Sequence, residues 1–462
     1  MKNTVKSNMQ RWSIWLLAGI IVTGVLAGCE KKTPEMEDIQ ARLIEHPEWS
    51  KDAVMYEVNI RQYTPEGTFE AFQEHLPRLK EMGVDILWLM PIHPIGEKNR
   101  KGELGSYYSI QDYTAVNSNF GTMEDFKNLV KATHEQGMKL IIDWVPNHTA
   151  WDHPWITEHP EYYMQDSTGQ ITYEADWSDT AQLNYENEEM KRKMIELMKF
   201  WPREADIDGY RVDHAGHDIP ISFWQRAVPA VDSVKEIFWL AEWNTPEMHP
   251  WYDATYTWEY FHLTTEIAEG AKPLHELELM MEKEQERFPE HAYRLFFTTN
   301  HDENSWNGTD RELFGENFEN FAVLAATIDG MPLIYSGQET GLEQQLEFFK
   351  KDTIDWDGYE YESFYTTLFE LKERNPALWN GQYGGDYKQV PVSDGESVFA
   401  YTRTKGENEV FVAINISGEP VQVEFPNITS ATEYTDLFSG EKVTLGTGTV
   451  EIGPHGHLVL ER

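Results

Sequence analysis

Cysteine is nearly absent from this sequence, since Cys29 is the only one among 462 residues. A single thiol excludes a disulfide within the chain. Basic residues are also scarce, with 38 Lys and Arg against 79 Asp and Glu, which gives a formal net charge of -41. This charge repels nucleic acids and anionic membrane surfaces, but it does not repel a neutral sugar polymer.

Long apolar runs are missing too, apart from one near the start of the chain. Residues 1–11 carry Lys2, Lys6 and Arg11, and residues 12–28 are almost wholly apolar. That run is short for a membrane-spanning helix and ends in small residues, as a secretory signal does. We therefore predict a signal peptide over residues 1–28 and a polar tether over residues 29–48.

The residues Leu26-Ala27-Gly28-Cys29 resemble the bacterial lipobox. This resemblance implies cleavage before Cys29 and attachment of lipid to its thiol. Glu30 stands where an Asp often retains such proteins at the inner membrane. We therefore expect an exported protein that is lipid-anchored at the cell envelope, at the outer membrane or the cell surface. An uncleaved N-terminal anchor is the alternative.

The remaining chain is too long for one compact core, and its composition argues against disorder. Hydrophobic residues make up 40% of the sequence and aromatic residues 13%. From residue 53, eight strand-like runs alternate with helix-like segments, a pattern typical of a closed parallel barrel. The runs are Val54 to Ile60, Val84 to Met90, Lys139 to Val145, Ile207 to Val212, Ile237 to Ala241, Ala254 to Trp258, Arg294 to Thr298 and Met331 to Tyr335.

Two segments depart from this alternation. Residues 149–185 form a long connection after the third run, which indicates an inserted domain B. Residues 386–462 show short alternating runs separated by Gly, Asp, Asn and Pro, which predict an antiparallel β-sandwich domain. We therefore predict an α/β fold: a (β/α)8 TIM barrel over residues 49–385 that carries these two additions.

Chemically active side chains gather where four of the predicted strands end, and in such a barrel these ends share one face. These side chains are Asp143, His148, Arg211, Asp213, Glu242, His301 and Asp302. Glycoside cleavage needs one carboxylate at the anomeric carbon and a second, protonated one that donates to the leaving oxygen. Arg211 and Asp213 stand two residues apart on a strand and so share a face, where the Arg keeps the carboxylate ionised.

The order and spacing of these motifs resemble the α-amylase family of glycoside hydrolases, family thirteen, from about Val54 to Gly341. Asp143 to His148 is similar to the family's D-x-x-x-N-H, Gly209 to His217 to its G-x-R-x-D-x-x-x-H, and Asn300 to Asp302 to its N-H-D. The resemblance implies an enzyme that cleaves α-glucosidic bonds, α-1,4 bonds first of all, in starch-like glucans or maltooligosaccharides. It also implies a retaining mechanism.

The resemblance further implies a role for each site residue. Asp213 would be the nucleophile, Glu242 the acid and base, and Asp302 a carboxylate that binds sugar hydroxyls and helps to distort the ring. The substrate-binding residues would be Tyr108, His148, Arg211 and His301. Tyr108 would stack on the sugar face, and Arg211, braced by Asp143, would orient the nucleophile.

The sequence departs from the family in two places. Gly216 stands where many α-amylases have a basic residue that meets the sugar beyond the cut. The family's structural calcium uses the Asn at position 147 and an Asp where this chain has Gln182, and an amide is a poorer ligand than a carboxylate. Asp176 and Asp179 are the substitutes that the sequence offers. We therefore predict no metal site and no cofactor for the chemistry.

Several alternatives remain open at the level of sequence. Within the family they are a transglycosylase, a cyclomaltodextrinase, an α-1,6-glucosidase and a maltogenic enzyme. Outside it, the rival is a non-catalytic glycan-binding protein at the cell surface. A metalloenzyme fits less well, because the histidines lie on different strand ends without a helical H-x-x-x-H spacing.

Overall fold

The computed structural model describes residues 44–356, 358–446 and 448–462. The predicted signal peptide, most of the tether and the predicted lipid attachment site Cys29 lie outside these residues. Among the helices that are described, none has both the length and the apolar composition needed to cross a membrane.

The described chain contains eighteen strands, numbered here in chain order. They are β1 (Met55–Val58), β2 (Ile86–Leu89), β3 (Lys139–Trp144), β4 (His148–Ala150), β5 (Thr180–Gln182), β6 (Gly209–Val212), β7 (Phe238–Ala241), β8 (Ala254–Tyr256), β9 (Tyr293–Phe296), β10 (Met331–Tyr335), β11 (Asp386–Gln389), β12 (Val398–Lys405), β13 (Asn408–Asn415), β14 (Val421–Val423), β15 (Thr432–Asp436), β16 (Lys442–Leu445), β17 (Val450–Ile452) and β18 (His457–Glu461).

The same residues form fourteen α-helices. They are α1 (Ile60–Tyr63), α2 (Phe69–Gln73), α3 (Leu76–Glu81), α4 (Met123–Glu135), α5 (Trp155–Glu158), α6 (Glu188–Met198), α7 (Phe200–Glu204), α8 (Ile221–Asp232), α9 (Trp258–Ala268), α10 (His275–Arg287), α11 (His301–Trp306), α12 (Asp310–Phe314), α13 (Phe318–Thr327) and α14 (Glu362–Arg374).

Eight parallel strands close into a barrel in the order β1-β10-β9-β8-β7-β6-β3-β2. All of their residues are buried except Lys139, as expected for parallel strands that helices cover on the outside. The predicted (β/α)8 barrel is therefore confirmed, and each of the eight runs contributes one strand. Strand β10 has the same bounds as its run, and the other seven strands are shorter than theirs. The first strand ends at Val58, and Ile60, the last residue of the first run, instead begins helix α1.

The two predicted additions differ in size. After β3, a small antiparallel pair of β4 and β5 forms within the long connection. At the C-terminus, six antiparallel strands in the order β11-β12-β13-β18-β15-β16 and the separate pair β14-β17 form the predicted β domain. Strands β11, β15 and β16 each bury a single side chain, Tyr387, Tyr434 and Leu445 respectively, so the apolar alternation marks them only weakly.

The register of three neighbouring barrel strands places the charged residues side by side. Asp143 on β3 pairs with Arg211 on β6, and Val212 on β6 pairs with Ala241 on β7. The next residues along β6 and β7 are Asp213 and Glu242. Because parallel strands in register end together, the backbone alone brings these side chains to one end of the barrel.

Candidate active site

The guanidinium group of Arg211 joins three carboxylates at this end of the barrel. Its Nη1 donates to Asp143 at 3.0 Å and to Asp213 Oδ1 at 3.0 Å. Its Nη2 lies 3.0 Å from Glu242 Oε1. Arg211 is fully buried and its Nε donates to the hydroxyl of Tyr256 at 3.2 Å, so its position is fixed from several sides.

Asp213 and Glu242 lie close enough to act on one bond. A carboxylate oxygen of Asp213 and one of Glu242 lie within 4.8 Å of each other. The backbone N–H of His214 donates to Glu242 Oε2 at 2.9 Å, and His214 takes a left-handed backbone conformation with φ of 45°. Retaining glycosidases hold their two carboxyl groups about 5–5.5 Å apart, whereas inverting enzymes need a wider gap.

Asp302 reaches the same site from the first turn of helix α11. The side chain of Asn300 caps this helix by accepting hydrogen bonds from the backbone N–H groups of Asp302 and Glu303. Capping by Asn satisfies the free N–H groups at a helix start and so fixes where the turn begins. The side chain of Asp302 is 40% exposed and lies 3.4 Å from His301 Nε2.

His301 lies between a buried acid on the first strand and the ring of Tyr108. Its Nδ1 is 2.5 Å from Glu57 Oε1, and its Nε2 is 2.7 Å from the Tyr108 hydroxyl. The hydroxyl of Tyr108 also donates to Asp143 at 3.1 Å. The rings of Tyr108 and His301 stack, with centroids 5.5 Å apart. One connected network therefore runs from Glu57 to the carboxylates around Arg211.

Six of the predicted site residues line a single cavity of about 700 Å³ at the end of the barrel. They are Tyr108, His148, Asp213, Glu242, His301 and Asp302. Arg211, the seventh, lies beneath the cavity floor rather than on its surface. Glu57 was missed by the sequence analysis, although an acid within an otherwise apolar strand was a signal that could have identified it.

The carboxyl groups of Asp213 and Glu242 differ in pKa. Burial raises the pKa of Asp213 to about 6, although His214 and Arg211 oppose the shift. Burial also acts on Glu242, but Arg211, His214 and the backbone N–H of His214 outweigh it and lower its pKa. In the protein alone, a proton therefore binds Asp213 before it binds Glu242.

Two of the histidines that line the cavity, His148 and His301, differ in charge. Burial lowers the pKa of His148 to about 3, so this imidazole is neutral at neutral pH. Burial also disfavours the charge of His301, but Asp302 and Glu57 outweigh burial and raise its pKa to about 9. His301 is therefore a cation at neutral pH and His148 is not.

Trp243 leaves no room for a side chain at position 216. A Cβ atom at position 216 would lie 2.4 Å from the indole ring of Trp243, which is closer than side-chain atoms can approach. The ring therefore occupies the space that the basic residue of many α-amylases would need. The rings of Trp177 and His214, which both line the cavity, have their centroids 5.0 Å apart.

Asn147 and Gln182, the residues at the family's calcium position, bond to other groups of the protein. Asn147 Nδ2 donates to the His217 carbonyl at 3.1 Å, and Asn147 Oδ1 lies 3.1 Å from His148 Nδ1. Gln182 Nε2 donates to Asp218 at 3.0 Å. This arrangement does not fit a hard dication, which requires several converging oxygen ligands.

The nearest group of alternative ligands is also engaged. Glu174, His217 and Asp218 bring ligand atoms within 4.8 Å of one another. Glu174, however, is bonded to His217, and Asp218 to Gln182. Asp176 and Asp179, the substitutes that the sequence offered, both contact Lys101: the Asp176 carbonyl accepts from its Nζ, and Asp179 Oδ1 lies 3.5 Å away.

Two family models match the chain. The alpha amylase catalytic domain matches residues 36–177 and 162–409, and the maltogenic amylase C-terminal domain matches residues 387–459. Among curated relatives, alpha-amylase MalA of Haloarcula japonica is 29% identical over 419 residues, which cover 86% of this chain. The chain spans 59% of the length of MalA.

Solved structures share the architecture over nearly their whole length. The maltogenic alpha-amylase AmyB of Thermotoga neapolitana, described as noncanonic, superposes with a TM-score of 0.82 at 29% identity. The match covers 89% of this chain and 99% of AmyB. An alpha-amylase of Lactobacillus plantarum gives a TM-score of 0.81 at 29% identity and covers 90% of this chain and 99% of its own.

Replacing Glu57 with Gln tests its link to His301. The change removes one of the two carboxylates that raise the pKa of His301, so the imidazolium loses its proton at a lower pH. We expect the alkaline limb of the kcat/KM profile on maltooligosaccharides to move down by roughly one pH unit. The measurement is that profile for wild type and Glu57→Gln.

Glu339→Gln is the matched control, because Glu339 is another fully buried acid of the barrel and bonds to Tyr56 and Arg78. It should change stability without moving the alkaline limb. Superimposable profiles for Glu57→Gln and wild type would show that Glu57 has only a structural role.

Proposed function

The chain belongs to the alpha-amylase family of glycoside hydrolases, and from that premise we propose that it hydrolyses α-1,4-glucosidic bonds in starch-like glucans and maltooligosaccharides with retention of configuration. The observation that carries the proposal is the buried Arg211, which holds Asp213 and Glu242 against one cavity that Asp302 also lines. The spacing of Asp213 and Glu242 favours a retaining over an inverting reaction.

In the first step, a carboxylate oxygen of Asp213 attacks the anomeric carbon while Glu242 donates its proton to the leaving oxygen. In the second step, Glu242 removes a proton from a water molecule, which attacks the same carbon and releases Asp213. Arg211 keeps Asp213 ionised and aligned. Asp302 is available to accept hydrogen bonds from sugar hydroxyls, and the Tyr108 ring to stack on the sugar face.

This mechanism requires the substrate to reverse the proton order of the two acids. A glycosidic oxygen next to Glu242 accepts a hydrogen bond from its protonated form and so stabilises that form. Positive charge that develops at the anomeric carbon stabilises ionised Asp213. Both effects act only when sugar is bound, so the pKa order of the protein alone is compatible with the acid role of Glu242.

Replacing the proposed nucleophile tests the mechanism directly. Asp213→Asn keeps the size of the side chain but removes its charge, so no covalent intermediate forms. We expect kcat on soluble starch to fall by roughly 10⁴-fold, measured as reducing-sugar release. Asp112→Asn changes an exposed acid on the loop after β2 and should retain full activity. Activity in neither wild type nor variant would instead favour a glycan-binding protein.

Product analysis on amylose, pullulan and cyclodextrins separates the enzyme alternatives of the family. Maltooligosaccharides released from amylose support the proposal. Exclusive cleavage of pullulan would identify an α-1,6-glucosidase, and exclusive cleavage of cyclodextrins would identify a cyclomaltodextrinase. Products longer than the starting oligosaccharide would identify transglycosylation.

We further propose that the enzyme needs no structural calcium, because Asn147 and Gln182 bond to protein groups at that position. A specifically bound ion would raise the melting temperature, and the rise would grow with the logarithm of its concentration relative to its Kd. We expect the same Tm and the same activity in EDTA and in calcium chloride, measured by calorimetry and sugar release. A Tm that rises with calcium concentration would contradict this proposal.

We also propose that Cys29 carries a lipid that holds the exported enzyme at the cell envelope, at the outer membrane or the cell surface. The support is the Leu-Ala-Gly-Cys sequence after a short apolar run. In cells that express the full chain, Cys29→Ser should abolish incorporation of labelled fatty acid and abolish lipoprotein-type processing. Unchanged labelling in this variant would rule out Cys29 as the attachment site.

A further inference from the structure

The position of Glu242 assigns the two sides of the cavity, given the proposed function. Glu242 donates to the leaving oxygen, so the departing part of the glucan lies on its side of the site, at the end of β7. In the barrel order, β1 stands four strands from β7 in either direction and is therefore diametrically opposite. The part of the glucan on the non-reducing side of the cleaved bond extends toward β1.

Above β1, the loops that follow β2 and β10 meet each other. We refer to residues 96–105 of the first loop as the bridging loop. The backbone N–H of Leu104 donates to the Phe349 carbonyl at 2.9 Å. From helix α1, the Arg61 guanidinium donates to the carbonyls of Gly105 and Phe348, both at 3.3 Å. Arg61 is buried, so it fixes this junction from below.

The other end of the bridging loop is attached to the segment inserted after β3. Asp152 in that segment accepts hydrogen bonds from the backbone N–H of Glu97 at 2.8 Å and from Gln111 at 3.0 Å. Lys101 donates to the Asp176 carbonyl, and its Nζ lies 3.5 Å from Asp179 Oδ1. The bridging loop thus connects the inserted segment with the loop after β10.

The residues of this connection face the catalytic cavity itself. Lys101, Asp176, Asp179, Phe348 and Phe349 line the same 700 Å³ space as the three acids. Tyr108 lies parallel to Phe348, with ring centroids 6.4 Å apart, so the sugar platform continues into this wall. The contact between Lys101 and Asp176 is therefore part of the wall of the catalytic cavity.

We infer that the bridging loop, joined to the inserted segment through Lys101 and to the last barrel loop through Leu104, closes the cavity at the non-reducing side of the bound sugar. The enzyme therefore removes short units from the non-reducing ends of α-glucans and does not cut within long chains. This inference rests on the proposed function, because it uses the role of Glu242 to orient the sugar.

The test compares maltoheptaose with maltoheptaose whose non-reducing end carries an ethylidene group. A closed cavity excludes the blocked end, so wild type should release products from the blocked substrate at least roughly tenfold more slowly. Chromatography of the products gives both rates. Equal rates would overturn the inference and leave the proposed function intact. No release from either substrate would overturn the proposed function and this inference with it.

Two lysine variants locate the wall. Lys101→Ala removes the contacts with Asp176 and Asp179, so the ratio of blocked to free cleavage should rise several-fold. Lys98→Ala removes a lysine of the same loop that lies over the Trp151 ring and does not line the cavity, so its ratio should match wild type. An unchanged ratio in a folded Lys101→Ala would overturn the role of this bridge. The wild-type ratio decides the question of closure by itself if that variant does not fold.

Discussion

One buried cation holds the catalytic end of this barrel together. Arg211 contacts Asp143, Asp213 and Glu242 within 3.0 Å, and none of these four side chains has much access to water. Burying a carboxylate without a partner costs several kcal/mol, and crowding several of them adds repulsion. The guanidinium offsets this cost because its planar fork can meet several carboxylates at once, which the single ammonium of a lysine does less well. The short, aligned strands β3, β6 and β7 are the backbone requirement for this contact.

The parts of this arrangement that follow from local order were predictable from sequence. Arg211 lies on β6 and Asp213 directly follows this strand. Asp143 lies near the end of β3 and Glu242 directly follows β7, so the barrel hypothesis alone placed them together. Glu57 shows what that reasoning misses. Its partner His301 lies 244 residues later, and nothing near either residue in the sequence indicates the contact. Glu57 lies within the run Val54 to Ile60, which its apolar residues had already assigned to a buried strand.

The walls of the cavity were less predictable than its floor. Strand ends follow from periodicity, whereas Lys101, Leu104 and Phe349 lie in loops whose pairing depends on how three separate connections fold over the barrel. The same limit applies to the C-terminal domain, where edge strands such as β16 bury only one residue and lack a clear alternation. Sequence reasoning therefore identified the chemistry, but the shape of the cleft required coordinates.

The negative net charge of the molecule is compatible with the aromatic lining of its cavity. A chain with a net charge of -41 cannot gain affinity for a neutral sugar from its overall field, so recognition has to come from contacts within the cavity. The cavity offers rings for such contacts, namely Trp177 with His214 and Tyr108 with Phe348. Trp243 takes the space next to Gly216 that a basic residue would need. Stacking on a sugar face does not depend on net charge, so an acidic surface and a saccharide site can coexist in one chain.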